Sequence, residues 1–386
     1  MQAAKSSLAS NRRVYHPPVM HQLGRRLRMS TALIVVLTTL VVVVAVTRAL
    51  RAQQRALPGT VQVVTVHGRS LEGNLEGDSP DRQVSVYLPP SYQADGTRRF
   101  PVVYLLHGFT DTDDKWFRDA GHFINVPTVA SRAFASGSRE VIIVTPNAYT
   151  KFGGSFYSTS VLTGDWERFV THDLVEYIDG HFRTIPAVRS RGLAGHSMGG
   201  YGALRIGIKH PDVFASVYAL SPCCMVTVTG GGLELAAVER VRTLEQFERA
   251  PFLAKAEIAL AAAWSPRPNK PPFSIDLLSE NGQVRPDIVA KWDANSPLAM
   301  IDQYVGNLKE LSAIGFDAGD KDLGNIADTV RTLDATLTNY QLQHRFEIYP
   351  GTHTSGIAER VEKIVLPFFS GSLQFDAPVT ASVGVR

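Results

Sequence analysis

The chain has 386 residues, 44% hydrophobic and 19% charged, proportions that exclude a disordered chain, a collagen-like fibre and a polytopic membrane protein. Its net charge of +3 joins two unlike parts: nine basic and no acidic residues lie in the first 60 positions, leaving 30 basic against 36 acidic residues, a body near −6. Basicity confined to a leader gives no reason to expect a nucleic-acid partner.

Residues 1–28 form a basic N-terminal region, and 29–47 carry no charge, reading STALIVVLTTLVVVVAV through their centre. Six basic residues before this stretch against three shortly after it predict a cytoplasmic N-terminus and an exported body. Nineteen uncharged residues slightly exceed the apolar core of a cleaved signal peptide and just reach the length of a spanning helix. No clean A-x-A site follows, so signal peptide and retained membrane anchor both stand; if it is retained, the membrane is a partner. Translation from Met20 would leave the basic region of an ordinary signal peptide. Either way the body lies outside the cytoplasm, in the periplasm, the medium or at a membrane. Cys223 and Cys224 are the two cysteines, and adjacent residues seldom form a disulfide, so the body must rest on its core.

After a linker, 48–60, strand-like and helix-like runs alternate through a domain at 61–370. VQVVTV (61–66) and QVSVYL (83–88) alternate and are β-branched, the second stopped by two prolines. PVVYLLHG (101–108) and EVIIVTPN (140–147) are continuous apolar runs, as strands buried on both faces should be. WERFVTHDLVEYIDGHF (166–182) has apolar residues at helical spacing, with Thr163 or Asp165 as its cap. RGLAGH (191–196), ASVYAL (215–220), LSAIGFDAG (311–319) and RFEIYPG (345–351) read as further strands. Between 222 and 300 the strand pattern lapses, predicting a mostly helical insertion near the mouth of a site, with a remote surface decoration as the other reading. The tail, 371–386, is polar and aperiodic. Strands separated by helical segments imply βαβ crossovers and a mostly parallel sheet with helices on both faces.

Gly195-His196-Ser197-Met198-Gly199 is a G-x-S-x-G pattern between a strand and a helix. Its glycines permit a sharp turn that exposes the Ser197 hydroxyl at the helix N-terminus, where it can act as a nucleophile. A serine needs a base, and the base an orienting carboxylate. In a doubly wound hydrolase the chain order is nucleophile, acid, histidine. Of the histidines after Ser197, His210 ends the helix leaving the serine, where it suits a cap, and His344 precedes a strand. His353 follows a strand at the carboxyl edge, where ligands bind, and takes the base role. Asp317, Asp320 and Asp322 follow LSAIGF, and spacing does not choose among them. Oxyanion donors are expected from the N–H of Met198 and, in the LLHGFTD loop, of Phe109, with His107 as a hydrogen-bonding support beside the site.

The segments YLLHG, TGDWERFVTHDL, RGLAGHSMGGYGAL, DAGDKD and a final G-x-H resemble the putative-esterase family of α/β-hydrolases, which includes esterase D, S-formylglutathione hydrolases, feruloyl and acetyl-xylan esterases, enterochelin esterases and mycobacterial mycolyltransferases. The similarity runs from about Val61 to Ser370. It implies an α/β-hydrolase fold and a serine carboxylesterase with no cofactor. It also implies that the acid stands in a strand-terminal G-x-x-D, which selects Asp322, and it supports Phe109 as a donor. The 222–300 insertion departs from the better-known members, so their substrate pockets do not carry over. Tyr157, Trp166 and Trp264 are candidates to line a pocket, with core packing as the alternative. Asp111, Asp113 and Asp114 lack the spacing of a calcium loop, so no metal is assigned. The expected partner is a small-molecule or carbohydrate ester. Acyl transfer to a sugar or lipid alcohol and a catalytically silent envelope protein are the rival readings.

Overall fold

The structure is a computed structural model, and it describes residues 59–229 and 235–376 together with positions 39, 40 and 43. Apart from those three positions, the predicted leader and anchor, all but the end of the linker, and residues 377–386 of the tail lie outside the described residues. Among the described residues no helix is long and apolar enough to cross a membrane.

Eight strands make the central sheet: β1 (Thr60–His67), β2 (Asp81–Leu88), β3 (Val102–Leu106), β4 (Ile142–Pro146), β5 (Arg191–His196), β6 (Ser216–Leu220), β7 (Ala313–Gly319) and β8 (Arg345–Tyr349). Their spatial order is β1-β2-β4-β3-β5-β6-β7-β8. β2 runs antiparallel to both neighbours, and β4 through β8 are parallel. The unbroken apolar runs become the central strands, with every residue of β3, β4 and β6 buried, whereas β1 at the edge is largely exposed.

Alternation along β3 divides the core between the two faces. Val102, Tyr104 and Leu106 join one cluster, and Val103 and Leu105 the other. On the second face lie α1 (Val126–Ala135) and a helical run closing the described chain, which ends in Leu366–Ser372. The first carries the run from Trp166 to His181, α2 (Met198–Lys209) and the helices of residues 235–310. Asp165 caps the first of these, accepting the Arg168 N–H at 3.0 Å, and a π turn at Phe169–Asp173 interrupts it.

Between β6 and β7 the described residues form five helices, Leu235–Glu239, Leu244–Arg249, α3 (Phe252–Trp264), Pro286–Asp293 and Pro297–Glu310. A small hairpin pairs Ser279–Glu280 with Gln283–Val284 through Asn281-Gly282, both at positive φ as a tight two-residue turn demands. The loops leaving the carboxyl ends of β3, β5, β7 and β8 meet at one edge, the edge where ligands bind in sheets of this kind.

Candidate active site

Ser197 sits between β5 and α2 at φ 57° and ψ −116°, a conformation that costs a non-glycine residue free energy and persists only when its surroundings enforce it. The enforcement comes from close backbone packing. A Cβ on Gly199 would lie 2.0 Å from the Leu106 carbonyl oxygen, and one on Gly195 would lie 2.3 Å from the Gly199 carbonyl carbon. The Ser197 N–H donates to the Leu220 carbonyl at 3.0 Å, fixing the turn to the end of β6.

The serine hydroxyl is 2.8 Å from His353 Nε2, and His353 Nδ1 is 2.6 Å from Asp322 Oδ1. A carboxylate only accepts, so Nδ1 carries the proton and Nε2 is free to accept from the serine. Asp322 Oδ1 also accepts the Leu323 N–H at 2.6 Å. Burial opposes ionisation of Asp322, yet His353 and these neighbouring donors hold it below the usual carboxylate range.

The structure separates the three aspartates that spacing leaves equivalent. Asp320 accepts the Gly351 N–H at 2.9 Å and supports the turn. Asp317 is fully buried on β7, where its Oδ2 accepts from Arg360 at 2.9 and 2.7 Å and from the Tyr218 hydroxyl at 2.8 Å. Asp322 alone of the three bonds to His353. The rejected histidines also have other partners. His344 Nε2 meets Asp334 at 2.9 Å, and His210, at the C-cap of α2, bonds Glu167 at 2.8 Å.

The loop after β3 lies against the serine: a Cβ on Gly108 would stand 3.5 Å from Ser197 Cβ. The N–H groups of Phe109 and Met198 have no hydrogen-bond partner among the described residues. His107 braces this loop. Its Nε2 accepts the Ala148 N–H at 2.8 Å, so its Nδ1–H donates to the Gly108 carbonyl at 2.8 Å, and burial lowers its pKa and keeps it neutral. Tyr157, fully buried, donates to the His107 carbonyl at 3.1 Å.

His107, expected as a support beside the site, and Tyr157, Trp166 and Trp264, expected at a pocket or in the core, are all buried. Trp166 donates to the Thr163 carbonyl beneath the Arg82 guanidinium, and Trp264 packs on Phe156, Tyr201 and Trp292. The open aromatic surface comes instead from Phe252 of α3, 49% exposed, whose ring meets Phe109 edge-on at 5.6 Å. A cleft of about 260 Å³ opens beside Phe109 and Thr110, walled by Phe152, Phe247, Leu244 and Lys255. The acidic cluster does not converge: Asp111 accepts from Trp116 and His122, Asp113 from Ser85, and Asp114 pairs with Arg118. Both cysteines are free and half-buried, and the Cys223 N–H donates to the Ser197 carbonyl at 3.3 Å.

Sequence reasoning missed His196. Its Nε2 donates to the His353 carbonyl at 2.7 Å, and burial lowers its pKa to about 3, with the nearby His353 adding to the effect. The available signal was its place inside the G-x-S-x-G pattern, next to the serine.

Residues 79–357 match the family model described as Putative esterase. The chain belongs to that family. Two similar proteins of Mycobacterium tuberculosis, Esterase MT1326 (strain CDC 1551 / Oshkosh) and Esterase Rv1288 (strain ATCC 25618 / H37Rv), are each 34% identical over 134 residues, 34% of this chain and 27% of theirs. The match thus spans about a quarter of the length of those curated relatives. Among solved structures, a ferulic acid esterase superposes with TM-score 0.58 at 23% identity, covering 82% of this esterase-family chain and 99% of that one. An S-formylglutathione hydrolase from Agrobacterium tumefaciens gives TM-score 0.54 at 17% identity, covering 83% and 97%. The fold is that of the α/β-hydrolases, with a mostly parallel eight-stranded sheet.

Proposed function

We propose that the chain is a serine carboxylic-ester hydrolase in which Ser197, His353 and Asp322 act as a triad. The observation that carries this reading is the unbroken hydrogen-bonded run from Asp322 through His353 to a serine held in a strained turn. His353 Nε2 takes the proton of Ser197 as its oxygen attacks the ester carbonyl. Asp322 holds the imidazole in the Nδ1–H tautomer and stabilises the imidazolium that forms. The free N–H groups of Phe109 and Met198 receive the negative charge that develops on the carbonyl oxygen, each worth about 3 to 4 kcal/mol in such sites. The alcohol leaves with the proton from His353, and water, activated by the same histidine, then hydrolyses the acyl-enzyme.

The cleft beside Phe109, and the exposed Phe252 ring packed on Phe109, suit an ester with an apolar or aromatic group near the carbonyl. The uncharged stretch 29–47 behind a basic N-terminus supports an exported body, whether its leader is cleaved or kept as an anchor. That compartment favours esters of the surroundings, such as decorated polysaccharides, over an S-acyl thiol metabolite of the cytoplasm.

The test is turnover of p-nitrophenyl esters together with labelling by a fluorophosphonate probe. Ser197→Ala should abolish both while the thermal unfolding midpoint stays close to that of the parent. A folded variant that still turns over the ester or still takes the label would refute the triad.

A further inference from the structure

Three buried polar atoms behind the triad acid lack hydrogen-bond partners: Asp322 Oδ2, the Ser221 hydroxyl and the Tyr349 hydroxyl. The Asp322 side chain is 0% exposed, so its second oxygen has no solvent to bond. A buried carboxylate oxygen without a donor is costly, as is a buried hydroxyl with nothing to bond.

The strand ends place the three together. Ser221 is the first residue after β6, with its N–H on the Asp317 carbonyl of β7 at 2.8 Å. Tyr349 ends β8 opposite Gly319, the last residue of β7, and Asp322 follows Gly319 by three residues in the turn that the Asp320 N–H pins to the Tyr349 carbonyl at 2.8 Å. Ser221 is fully buried at φ 43°, outside the usual range for its type, so its backbone conformation is imposed and its hydroxyl is directed by the fold. Ser221 lies close enough to both side chains to favour the charged form of the Asp322 carboxyl and to act on the Tyr349 phenol.

Donors and acceptors match one for one. A carboxylate oxygen only accepts, a serine hydroxyl donates once and accepts, and a protonated phenol donates once. Burial pushes Tyr349 up to about 12, so its proton is in place at every pH where an esterase would be assayed.

We infer that Tyr349 and Ser221 are positioning residues for the triad, with the Tyr349 O–H donating to Ser221 Oγ and the Ser221 O–H donating to Asp322 Oδ2. This rests on the triad proposed above. The Asp322 carboxylate then meets donors on both oxygens: His353 Nδ1–H and Leu323 N–H on Oδ1, and Ser221 on Oδ2. The relay keeps its plane aligned with the imidazole and spreads part of its charge away from His353. Neither residue touches the substrate.

The experiment compares Ser221→Ala, Tyr349→Phe and the double variant by kcat and KM for a p-nitrophenyl ester between pH 5 and 9, with unfolding midpoints alongside. Loss of a hydrogen bond to a charged group predicts that Ser221→Ala lowers kcat about tenfold with KM unchanged. The carboxylate left with one donor fewer holds the imidazolium more tightly, so the acid limb of the rate profile should move up by about half a pH unit. Tyr349→Phe should move kcat and the limb in the same direction by less, and the double variant should match Ser221→Ala because Tyr349 acts through Ser221. A folded Ser221→Ala protein with parental kcat and acid limb would overturn the inference, as would a double variant whose losses multiply. If Ser221→Ala does not fold, Tyr349→Phe decides alone, and an unshifted profile overturns it. Turnover surviving in Ser197→Ala would instead remove the triad itself, so the two failures are distinct.

Discussion

Asp322→Asn tests both the choice of acid and what that acid does. Oδ1 accepts two donors, His353 Nδ1–H and Leu323 N–H, each at 2.6 Å, so the substituted amide should keep its oxygen there and turn its NH2 toward the Oδ2 position. The imidazole tautomer then survives and what disappears is the negative charge. Two unit charges about 4 Å apart interact by about 4 kcal/mol at an effective dielectric constant near 20, so kcat/KM should fall by about a thousandfold. Asp320→Asn, whose amide oxygen can still accept the Gly351 N–H, should stay within a few-fold of the parent. Asp317→Asn should act on stability instead, because the buried Arg360 loses one of its two carboxylate partners and keeps only Glu347, while its folded fraction keeps a near-normal rate. Steady-state kinetics on p-nitrophenyl acetate and urea unfolding of all three variants separate these outcomes. An Asp322→Asn protein within tenfold of the parent, or an Asp320→Asn protein a thousandfold slower, would refute the assignment.

Glu257 on α3 is 2% exposed, neither of its oxygens is paired, and burial, aided by Glu239, pushes its carboxyl from 4.5 up to about 7. Between those values the folded chain holds a proton that the unfolded chain has released, so stability from this group falls as pH rises, by at most about 3 kcal/mol. Glu257→Gln should therefore raise the urea midpoint at pH 8 and change it little at pH 5, and an equal shift at both would count against the burial argument. Glu167 has the opposite sign: burial opposes its charge, but His210, Arg205 and Lys209 hold it well below the usual range, so its contribution is present at neutral pH and lost in acid. Glu167→Gln should cost about 3 to 5 kcal/mol at pH 7 and noticeably less near pH 3, as read by thermal unfolding. Gly199→Ala should yield no folded protein, since its Cβ would meet backbone oxygens at 2.0 and 2.8 Å, whereas Gly108→Ala, with nothing nearer than 3.5 Å, should fold with a parental circular dichroism spectrum. Recovery of a natively folded Gly199→Ala chain would show that the elbow has slack.

What could be read from the sequence was what local pattern encodes. β3 and β4 come from continuous apolar runs because helices cover both their faces, and the elbow announced itself through glycines that the structure presses against backbone. Asp317, Asp320 and Asp322 lie within six residues of one another, and what distinguishes them is a turn pinned by Asp320 and a strand face already committed to Arg360. Neither is local to the motif. For Tyr157, Trp166 and Trp264 pocket and core both stayed open for a related reason: an aromatic residue before a helix or in a loop carries no mark of whether it faces a cleft or a core. The Asn281-Gly282 turn was visible as a dipeptide, but its flanking strands have two residues each, too few to show alternation.

His196 shows how Ser197 and His353 are kept at bonding distance although 156 positions separate them in the chain. Ser197 is located by backbone contacts among the ends of β3, β5 and β6, and a rigid turn alone would not fix the loop after β8. The residue preceding the serine supplies that link, because His196 Nε2–H grips the main-chain carbonyl of His353. Ser197 and His353 are thereby referred to the same strand end over a single peptide. Protonation would add charge to His196 but burial holds it neutral until about pH 3, so this tie is unchanged across the range in which an ester hydrolase works. The loop that carries His353 is therefore held in place on mild acidification.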